Sequence, residues 1–354
     1  MSMKYYSLRV REVRRETPDA VSIAFDLPNE LRDTFAFTQG QYLAIRTLID
    51  GEDIRRSYSI CAGADDGELR IAVKQVPGGR FSTFANERLK AGDTLDVMPP
   101  QGRFFTPLDA ANKKLYVAFA AGSGITPVLS IIKTTLRREP LSSFVLFYGN
   151  RNFDHIIFRE ELETLKSLYP LRLSVHHVLS RESLGADLFY GRINADKCDA
   201  YCRLLFQPLE VDHYFLCGPE EMIFEVKDAL MRHGVSEGRI LFELFTTPGV
   251  SRPAPAPAAE GSDAAITVKI DGMTFDFALP TDGSTLLDAA MRAGADLPFS
   301  CKGGVCSTCK ARVLEGEVAM DVNYGLEPDE IAAGYVLTCQ AHPRSERLVI
   351  SFDH

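Results

Sequence analysis

The chain has 354 residues, of which 45% are hydrophobic and 25% charged, as expected for a globular protein of two or three domains. Its net charge of −9 disfavours a nucleic-acid partner, and residues 1–13 lack the apolar core of a signal peptide. The longest uncharged apolar stretch, residues 115–132, is interrupted by Gly122, Gly124 and Pro127, so a buried strand, loop and helix fit it better than a membrane span. We therefore expect a cytoplasmic protein without a membrane partner.

Residues 1–110 are predicted to form an antiparallel β-barrel. Short apolar stretches alternate with turn residues, and helical periodicity is scarce. The predicted strands are residues 8–13, 21–26, 42–47, 56–61, 69–75 and 94–97.

Two short motifs in this segment have residue types that suit a flavin dinucleotide. Arg56 can neutralise a pyrophosphate, and the ring of Tyr58 can stack on an isoalloxazine. Gly78 and Gly79 precede a predicted helix that contains Ser82, and a glycine pair there exposes amide groups to phosphate. Taken alone, each motif has a plainer explanation, because a strand tyrosine is usually half-buried and a glycine pair is usually a turn.

Residues 111–245 are predicted to form an α/β domain with a parallel sheet. Strand-like stretches at 115–120, 144–148, 172–178 and 214–217 alternate with helical stretches at 128–137, 159–168 and 219–233. Gly122 and Gly124 follow the first strand and can let a phosphate approach a helix N-terminus, although Pro127 stands where the Rossmann fingerprint has its third glycine. A second turn begins at Cys217, and ligands of open α/β sheets bind at such strand ends.

Residues 246–263 are predicted to be a linker. The segment is rich in Pro, Ala, Gly and Ser, which cannot bury a core. Proline and alanine alternate over residues 252–258, which favours a semi-rigid spacer of roughly 20 Å. A spacer of this kind suits a domain that moves between two contacts.

Residues 264–354 are predicted to begin with a hairpin around Asp271 and Gly272, followed by a helix over residues 285–293 with Ser284 as its N-cap. The segment holds 13 acidic and 7 basic residues. The acidic excess is either an ordinary solvated surface or a docking face for a basic protein partner. The order of hairpin, helix, cysteine loop and late strand is similar to the β-grasp (α+β) fold of plant-type ferredoxins.

Four cysteines in this last segment have the plant-type [2Fe–2S] spacing. The pattern is C-x4-C-x2-C, followed by 29 intervening residues and the fourth cysteine. A zinc ribbon needs a second C-x2-C pair and a Rieske centre needs two nearby histidines, and the sequence has neither. We therefore predict a [2Fe–2S] cluster that passes single electrons, with the ligands Cys301, Cys306, Cys309 and Cys339.

The motifs occur in the order found in the ferredoxin–NADP reductase superfamily, which the first 245 residues resemble. They are R-x-Y-S at 56–59, G-G-x-x-S at 78–82, G-S-G-I-T-P at 122–127 and C-G-P-x-x-M at 217–222. A reductase followed by a plant-type ferredoxin resembles the reductase components of multicomponent oxygenases. Within that group, the chain is most similar to reductases whose oxygenase epoxidises a CoA-thioester-bound aromatic ring, through residues 148–151, 301–306, 318–320, 323–324, 326–330 and 332–337.

This resemblance implies an FAD site in the first segment. Arg56 would contact the FAD phosphates, Tyr58 would pack on the flavin, and Ser59 would lie near its N5 atom. Gly79 and Ser82 would hold the pyrophosphate.

It also implies an NADPH site in the second segment. Gly122, Gly124 and Thr126 would line the nicotinamide nucleotide, and Cys217 would lie near the nicotinamide C4 atom. Glu243 and Phe245 would shield the other face of the flavin, although Phe245 as a plain core residue is the alternative. The catalytic residues would thus be Ser59, Cys217 and Phe245.

The implied nucleotide is NADPH rather than NADH. Ser180 and Arg181 match the segment that the superfamily uses for the 2′-phosphate, and Arg151 is a second candidate. The alternative is that these arginines are solvated loop residues.

The implied reaction passes electrons from NADPH through FAD and the cluster to a multi-subunit non-haem di-iron oxygenase. A reductase for another ring- or steroid-hydroxylating oxygenase is an open alternative. So are a ferredoxin-like adaptor with a degenerate nucleotide-binding half and a structural zinc module.

Overall fold

The computed structural model describes residues 4–245, 263–279 and 283–353. Three sheets fall inside the three predicted structural segments, while the predicted linker lies outside the described residues except for Asp263. None of the helices in the described ranges has the length and apolar character needed to cross a membrane.

The first sheet has six antiparallel strands in the order β4-β3-β6-β1-β2-β5. A backbone bridge between Ile60 and Ile71 joins the end of β4 to β5 and closes the sheet into a barrel, as predicted. Leu8, Ile23 and Leu43 are fully buried in its interior. The elements are β1 (Tyr6–Thr17), β2 (Ala20–Asp26), β3 (Tyr42–Ile49), β4 (Glu52–Ser59), β5 (Leu69–Lys74), α1 (Arg80–Glu87) and β6 (Thr94–Val97).

The second sheet has five parallel strands in the order β11-β10-β7-β8-β9, with apolar cores on both faces. The chain builds outwards from β7 through β8 and β9 and then returns to place β10 on the other side of β7. This reversal opens a crevice at the carboxyl ends of β7 and β10, where ligands bind in such sheets. The elements are β7 (Leu115–Ala121), α2 (Ile125–Arg138), β8 (Ser143–Asn150), α3 (Arg159–Leu168), β9 (Leu173–Leu179), α4 (Ala195–Leu204), β10 (His213–Gly218), α5 (Glu220–Arg232) and β11 (Ile240–Leu244).

The third sheet is mixed, with the order β13-β12-β18-β14-β16, and a separate pair, β15 and β17, lies beside it. β12 pairs with β18 in parallel, and the remaining pairs of this sheet are antiparallel. The elements are β12 (Ala264–Ile270), β13 (Met273–Leu279), α6 (Leu286–Arg292), β14 (Lys310–Glu315), β15 (Val318–Met320), α7 (Pro328–Ala332), β16 (Tyr335–Leu337), β17 (Ala341–Pro343) and β18 (Arg347–Ser351).

The hairpin and helix of this domain show one confirmed prediction and one error. Asp271 and Gly272 both have positive φ, 50° and 73°, as the turn between β12 and β13 requires. The predicted N-cap of α6 is wrong: the Thr285 hydroxyl accepts the hydrogen bond from the Asp288 amide at 3.3 Å. The Ser284 hydroxyl instead accepts from the guanidinium of Arg292 at 2.8 Å.

Candidate redox site

The four cysteines of the predicted cluster lie together as two pairs. The thiols of Cys301 and Cys306 are hydrogen-bonding neighbours, and so are those of Cys309 and Cys339. Within the described residues, no three potential metal ligands surround a single point. A tetrahedral zinc ion needs four ligands around one centre, whereas two irons take two cysteines each. The paired arrangement therefore fits a two-iron cluster.

The backbone of the cluster loop turns its amide groups towards the cysteine sulfurs. The Gly303 amide donates to Cys301 Sγ at 3.3 Å, and the Cys301 amide donates to Cys306 Sγ at 3.5 Å. Gly304 has a φ of 76°, and a Cβ there would lie 3.0 Å from the Val322 carbonyl oxygen. Because amide donors stabilise thiolate ligands and shift the cluster potential, this loop suits an anionic iron–sulfur centre.

The glycine pair before α1 leaves space at a helix N-terminus. Gly78 has a φ of 72° and no atom within 4 Å of a Cβ built on it, and α1 has no side-chain cap. Ser82 Oγ accepts from the Val76 amide at 3.1 Å and donates to the Gly79 carbonyl at 3.2 Å. Amide groups at an uncapped helix start are the donors that a pyrophosphate needs, whereas the Ser82 hydroxyl would have to turn away from the Gly79 carbonyl to join them.

The two predicted flavin contacts on β4 are two residues apart and therefore share one face of the strand. The Tyr58 ring packs on Phe81 of α1 with 5.2 Å between centroids. Arg56 is half-buried, and its Nη1 donates to the carbonyl oxygen of Arg55 at 2.7 Å. The structure thus connects the R-x-Y-S strand to the glycine-pair helix through the contact of Tyr58 with Phe81.

The structure brings Ser59 against the second domain. Its hydroxyl donates to Glu243 Oε2 at 2.8 Å, and Glu243 lies beside Cys217 in the β10–β11 ladder. Burial raises the pKa of Glu243 to about 7, and the Ser59 hydrogen bond opposes that shift. The carboxyl group is enclosed, although the residue as a whole is only half-buried.

The Cys217 side chain is fully buried beside this carboxyl. Burial, together with the nearby Glu243, raises the pKa of its thiol well above the ordinary value. The site therefore offers a hydroxyl, a neutral thiol and a carboxyl that exchanges a proton near neutral pH. Phe245 follows β11 directly and is 37% exposed, which does not fit a plain core residue.

The glycine loop after β7 packs tightly on one side and is open on the other. A Cβ on Gly124 would lie 2.0 Å from the Cys217 carbonyl oxygen, so only glycine fits. Gly122 has a φ of 54°, and only Lys74 Nζ approaches its Cβ position, at 3.6 Å. Thr126 is buried and donates to the Ser123 carbonyl at 3.0 Å. The uncapped start of α2 is therefore accessible to a phosphate at Gly122.

Lys74 was missed by the sequence reasoning. It ends β5 in the barrel, yet it reaches the glycine loop of the second domain. Burial lowers its pKa, Asp19 opposes that shift, and the charge of Arg151 adds to it. Its only sequence signal is a position at the end of a predicted strand, which is not diagnostic.

The residues predicted to recognise the 2′-phosphate come together at the ends of β8 and β9. The Arg181 amide donates to the Arg151 carbonyl at 2.8 Å, and the Ser180 amide donates to the Asn150 carbonyl at 2.9 Å. The side-chain amide of the buried residue Asn150 has no hydrogen-bond partner among the described residues. The Tyr148 hydroxyl lies beside it but donates to the Gly122 carbonyl at 3.0 Å. An unpaired amide and two arginines at this edge suit a polar, anionic ligand.

The cluster loop packs on the barrel next to Ser59. Tyr42 pairs with Ser59 in the β3–β4 ladder, and its hydroxyl lies 3.5 Å from Thr308 Oγ1. Thr308 is between the predicted ligands Cys306 and Cys309, so Tyr42 connects the Ser59 region to the cluster loop. Sequence reasoning did not identify this contact.

Comparisons with known proteins match all three domains. An oxidoreductase FAD-binding domain matches residues 7–105, an oxidoreductase NAD-binding domain matches 119–228, and a 2Fe-2S iron-sulfur cluster binding domain matches 268–344.

Two relatives match over nearly their full length. The chain is 46% identical over 349 residues to one of the subunits of 1,2-phenylacetyl-CoA epoxidase of Escherichia coli (strain K12), covering 99% of this chain and 98% of the relative. It is 36% identical to the ferredoxin reductase component of 3-ketosteroid-9-alpha-monooxygenase of Rhodococcus rhodochrous, covering 98% and 96%. The structure of phthalate dioxygenase reductase has the same fold, with a TM-score of 0.59, 23% identity and 98% coverage of each chain.

Proposed function

This chain belongs to the family of reductase components of multicomponent oxygenases, and we propose that it supplies electrons from NADPH to an oxygenase that epoxidises phenylacetyl-CoA. It is an oxidoreductase with FAD, a pyridine nucleotide and a [2Fe–2S] cluster, and it passes electrons to an oxygenase partner. The observation that carries the proposed substrate is the 46% identity to the epoxidase component over 99% of the chain.

In this proposal the barrel holds FAD. Arg56, Gly79 and Ser82 bind its phosphates, and Tyr58 packs on the flavin, supported by the uncapped α1 and the open space at Gly78. A bound flavin accepts a hydride from a nicotinamide and releases electrons one at a time, which the one-electron cluster requires.

Ser59, Cys217 and Phe245 are the proposed catalytic residues. The Ser59 hydroxyl keeps its proton directed at Glu243, whose pKa of about 7 allows the carboxyl to accept or release a proton at working pH. The neutral Cys217 thiol adds no charge where the nicotinamide would lie. Phe245 has the exposed surface needed to cover a planar ring.

The nucleotide is proposed to be NADPH. Gly122, Gly124 and Thr126 form the loop for its pyrophosphate, and Arg151, Ser180 and Arg181 form the edge for its 2′-phosphate. Support comes from the backbone bonds that hold the two arginines together. Lys74 is a third basic residue and lies beside Gly122, with Asp19 Oδ2 3.7 Å from its Nζ.

The electron acceptor is proposed to be a multi-subunit non-haem di-iron oxygenase in the cytoplasm, where thiolate ligands stay reduced. The proposed domains remain residues 1–110, 111–245 and 264–354, with 246–263 as the linker. The 36% identity to a steroid monooxygenase reductase supports a second candidate, a steroid-hydroxylating partner.

The test is reconstitution with purified oxygenases. Anaerobic NADPH should bleach both flavin and cluster absorbance, and the reduced protein should support epoxidation of phenylacetyl-CoA by the matching oxygenase. Reduction of cytochrome c without epoxidation, together with support of a steroid hydroxylase, would reject the proposed partner and retain the reductase.

A further inference from the structure

One of the contacts between the barrel and the cluster domain is made by a buried guanidinium group. The side chain of Arg55 on β4 is only 4% exposed. Its Nη2 donates to Asp296 Oδ1 at 2.9 Å, and its Nη1 donates to the Leu297 carbonyl at 3.2 Å. The guanidinium also lies 4.5 Å from the ring centroid of Phe299. Three neighbouring residues of the cluster domain thus converge on a single barrel side chain.

The barrel itself completes the surroundings of Arg55. Asp53 Oδ2 accepts from Nε at 3.1 Å and from Nη2 at 2.8 Å. A planar fork of donors is needed to bond two carboxylates and a carbonyl while stacking on an aromatic ring. Lysine carries the same charge without that fork, so it cannot make the full set of contacts.

The same face of β4 continues from this contact to the cluster loop and the flavin side. The Ser57 hydroxyl donates to Ser300 Oγ at 2.8 Å, and Ser300 directly precedes the ligand Cys301. Side chains alternate along a strand, so Arg55, Ser57 and Ser59 share one face. Ser59 lies four residues beyond Arg55, or about 13 Å along the strand. Arg55 and Ser57 therefore hold the cluster loop from the same strand that contacts Glu243 through Ser59.

We propose that Arg55 is a positioning residue that holds the cluster domain against the barrel while the cluster receives electrons from the flavin. The proposal rests on the reductase function above. One electron leaves the reduced flavin and enters the oxidised cluster, with the nicotinamide nucleotide as the source and the oxygenase as the final acceptor. Arg55 is not among the residues proposed to hold the flavin or the cluster, and it acts by fixing the barrel and the cluster domain relative to each other.

The test compares R55Q with the wild-type protein in anaerobic stopped-flow experiments. Flavin reduction by NADPH and NADPH-dependent ferricyanide reduction should be unchanged, because ferricyanide takes electrons directly from the flavin. Reduction of the cluster by the flavin should slow by roughly 10- to 100-fold. R55K should recover only part of this rate, since it restores the charge without the fork.

A second measurement does not depend on activity. Hydrogen–deuterium exchange in peptides covering residues 296–300 should be faster in R55Q than in the wild type, because the contacts to Asp296 and Leu297 are lost. The matched control is R88Q: Arg88 also pairs with a carboxylate, Asp50 at 3.2 Å, and lies over a ring, Phe84 at 5.3 Å, but both partners are in the barrel. R88Q should change neither cluster reduction nor exchange at 296–300.

If R55Q does not fold, D296N provides the same test from the other side of the contact. Asp296 is largely exposed and lies outside the barrel, so its replacement leaves the barrel core intact. D296N should also slow reduction of the cluster by the flavin, by a smaller factor than R55Q. The proposal is overturned if cluster reduction keeps its wild-type rate in the folded variants, if it slows without faster exchange at 296–300, or if R88Q has the same effect. A wild-type protein that cannot reduce ferricyanide with NADPH would instead reject the proposed function.

Discussion

Tyr42 lies directly across the β3–β4 ladder from Ser59, so one cross-strand pair faces both redox regions of the protein. The Tyr42 hydroxyl reaches Thr308 in the cluster loop, while the Ser59 hydroxyl reaches Glu243 in the nucleotide domain. Three domains distant in sequence therefore meet around two neighbouring residues of one hairpin. The proposed flavin and cluster sites are therefore tied to the same hairpin.

Replacement of Gly124 by alanine should damage the nucleotide site. The new Cβ would lie 2.0 Å from the Cys217 carbonyl oxygen, so the backbone of β10 must move. We expect a loss of about 3 kcal/mol in the free energy of unfolding, measured by urea titration, and a higher KM for NADPH. The control is G238A, since a Cβ on Gly238 meets no atom within 4 Å. Equal stability of G124A and G238A would contradict the close approach of Gly124 to β10.

Glu243 should make the protein without bound FAD less stable as the pH rises. Its folded-state pKa of about 7 exceeds the ordinary value of 4.5, so the folded protein binds a proton more tightly than the unfolded chain between these values. Stability is therefore greatest below pH 4.5 as far as this group is concerned, and it falls as the pH rises towards 7, by about 2 kcal/mol after allowance for partial exposure.

This pH dependence can be measured by thermal unfolding of E243Q and wild type from pH 5 to pH 8. In E243Q the stability should decline less with rising pH than in the wild type. E87Q, which alters an exposed glutamate, should show the full decline. S59A should steepen the decline, because the Ser59 hydrogen bond lowers the pKa of Glu243. The same pH slope in E243Q and wild type would show that Glu243 titrates normally.

Replacement of Cys339 by alanine should remove the cluster and spare the flavin half. Without its partner, Cys309 cannot complete the coordination of one iron. We expect loss of the iron–sulfur absorbance and of cytochrome c reduction, with NADPH-dependent ferricyanide reduction retained. C202A is the control, since Cys202 is a buried cysteine on α4 of the nucleotide domain. A cluster with full iron content in C339A would refute the assigned ligand set.

Replacement of Arg181 by glutamine should weaken selection for NADPH. An arginine that bonds the 2′-phosphate contributes about 1.5–3 kcal/mol, so kcat/KM for NADPH should fall about 10- to 100-fold while that for NADH changes little. Steady-state kinetics with both nucleotides measure the ratio. R203Q, which alters an exposed arginine on α4, is the control. An equal loss with NADH and NADPH would mean that Arg181 does not read the 2′-phosphate.

Local features of the fold were predictable because each depends on a few adjacent residues. The Asp271–Gly272 turn and the glycine loop at Gly122 need special backbone geometry, and the cysteine spacing is set by cluster coordination. The sequence does not determine the N-cap of α6, because Ser284 and Thr285 are adjacent and both have hydroxyls that can cap a helix. Helix boundaries shift by one residue at such positions.

Contacts between domains were not predictable from the single sequence. Arg55 and Asp296 are separated by 241 positions, and neither lies in a recognised motif. Lys74 likewise lies in the barrel but approaches Gly122 in the second domain. The hydrophobic pattern of its strand does not indicate which loop its side chain contacts. The pairing of Cys309 with Cys339 follows from the spacing only after the fold has brought β14 beside β16.

The alternation of side chains along β4 makes this strand intolerant of changes in length. Arg55, Ser57 and Ser59 face the other domains, while Arg56 and Tyr58 occupy the intervening positions proposed for FAD. Insertion of one residue before Arg55 would exchange the two sets, because register shifts invert the faces of a strand. Flavin retention and domain docking would then fail together, because the length of this one strand sets the register of both sets of contacts.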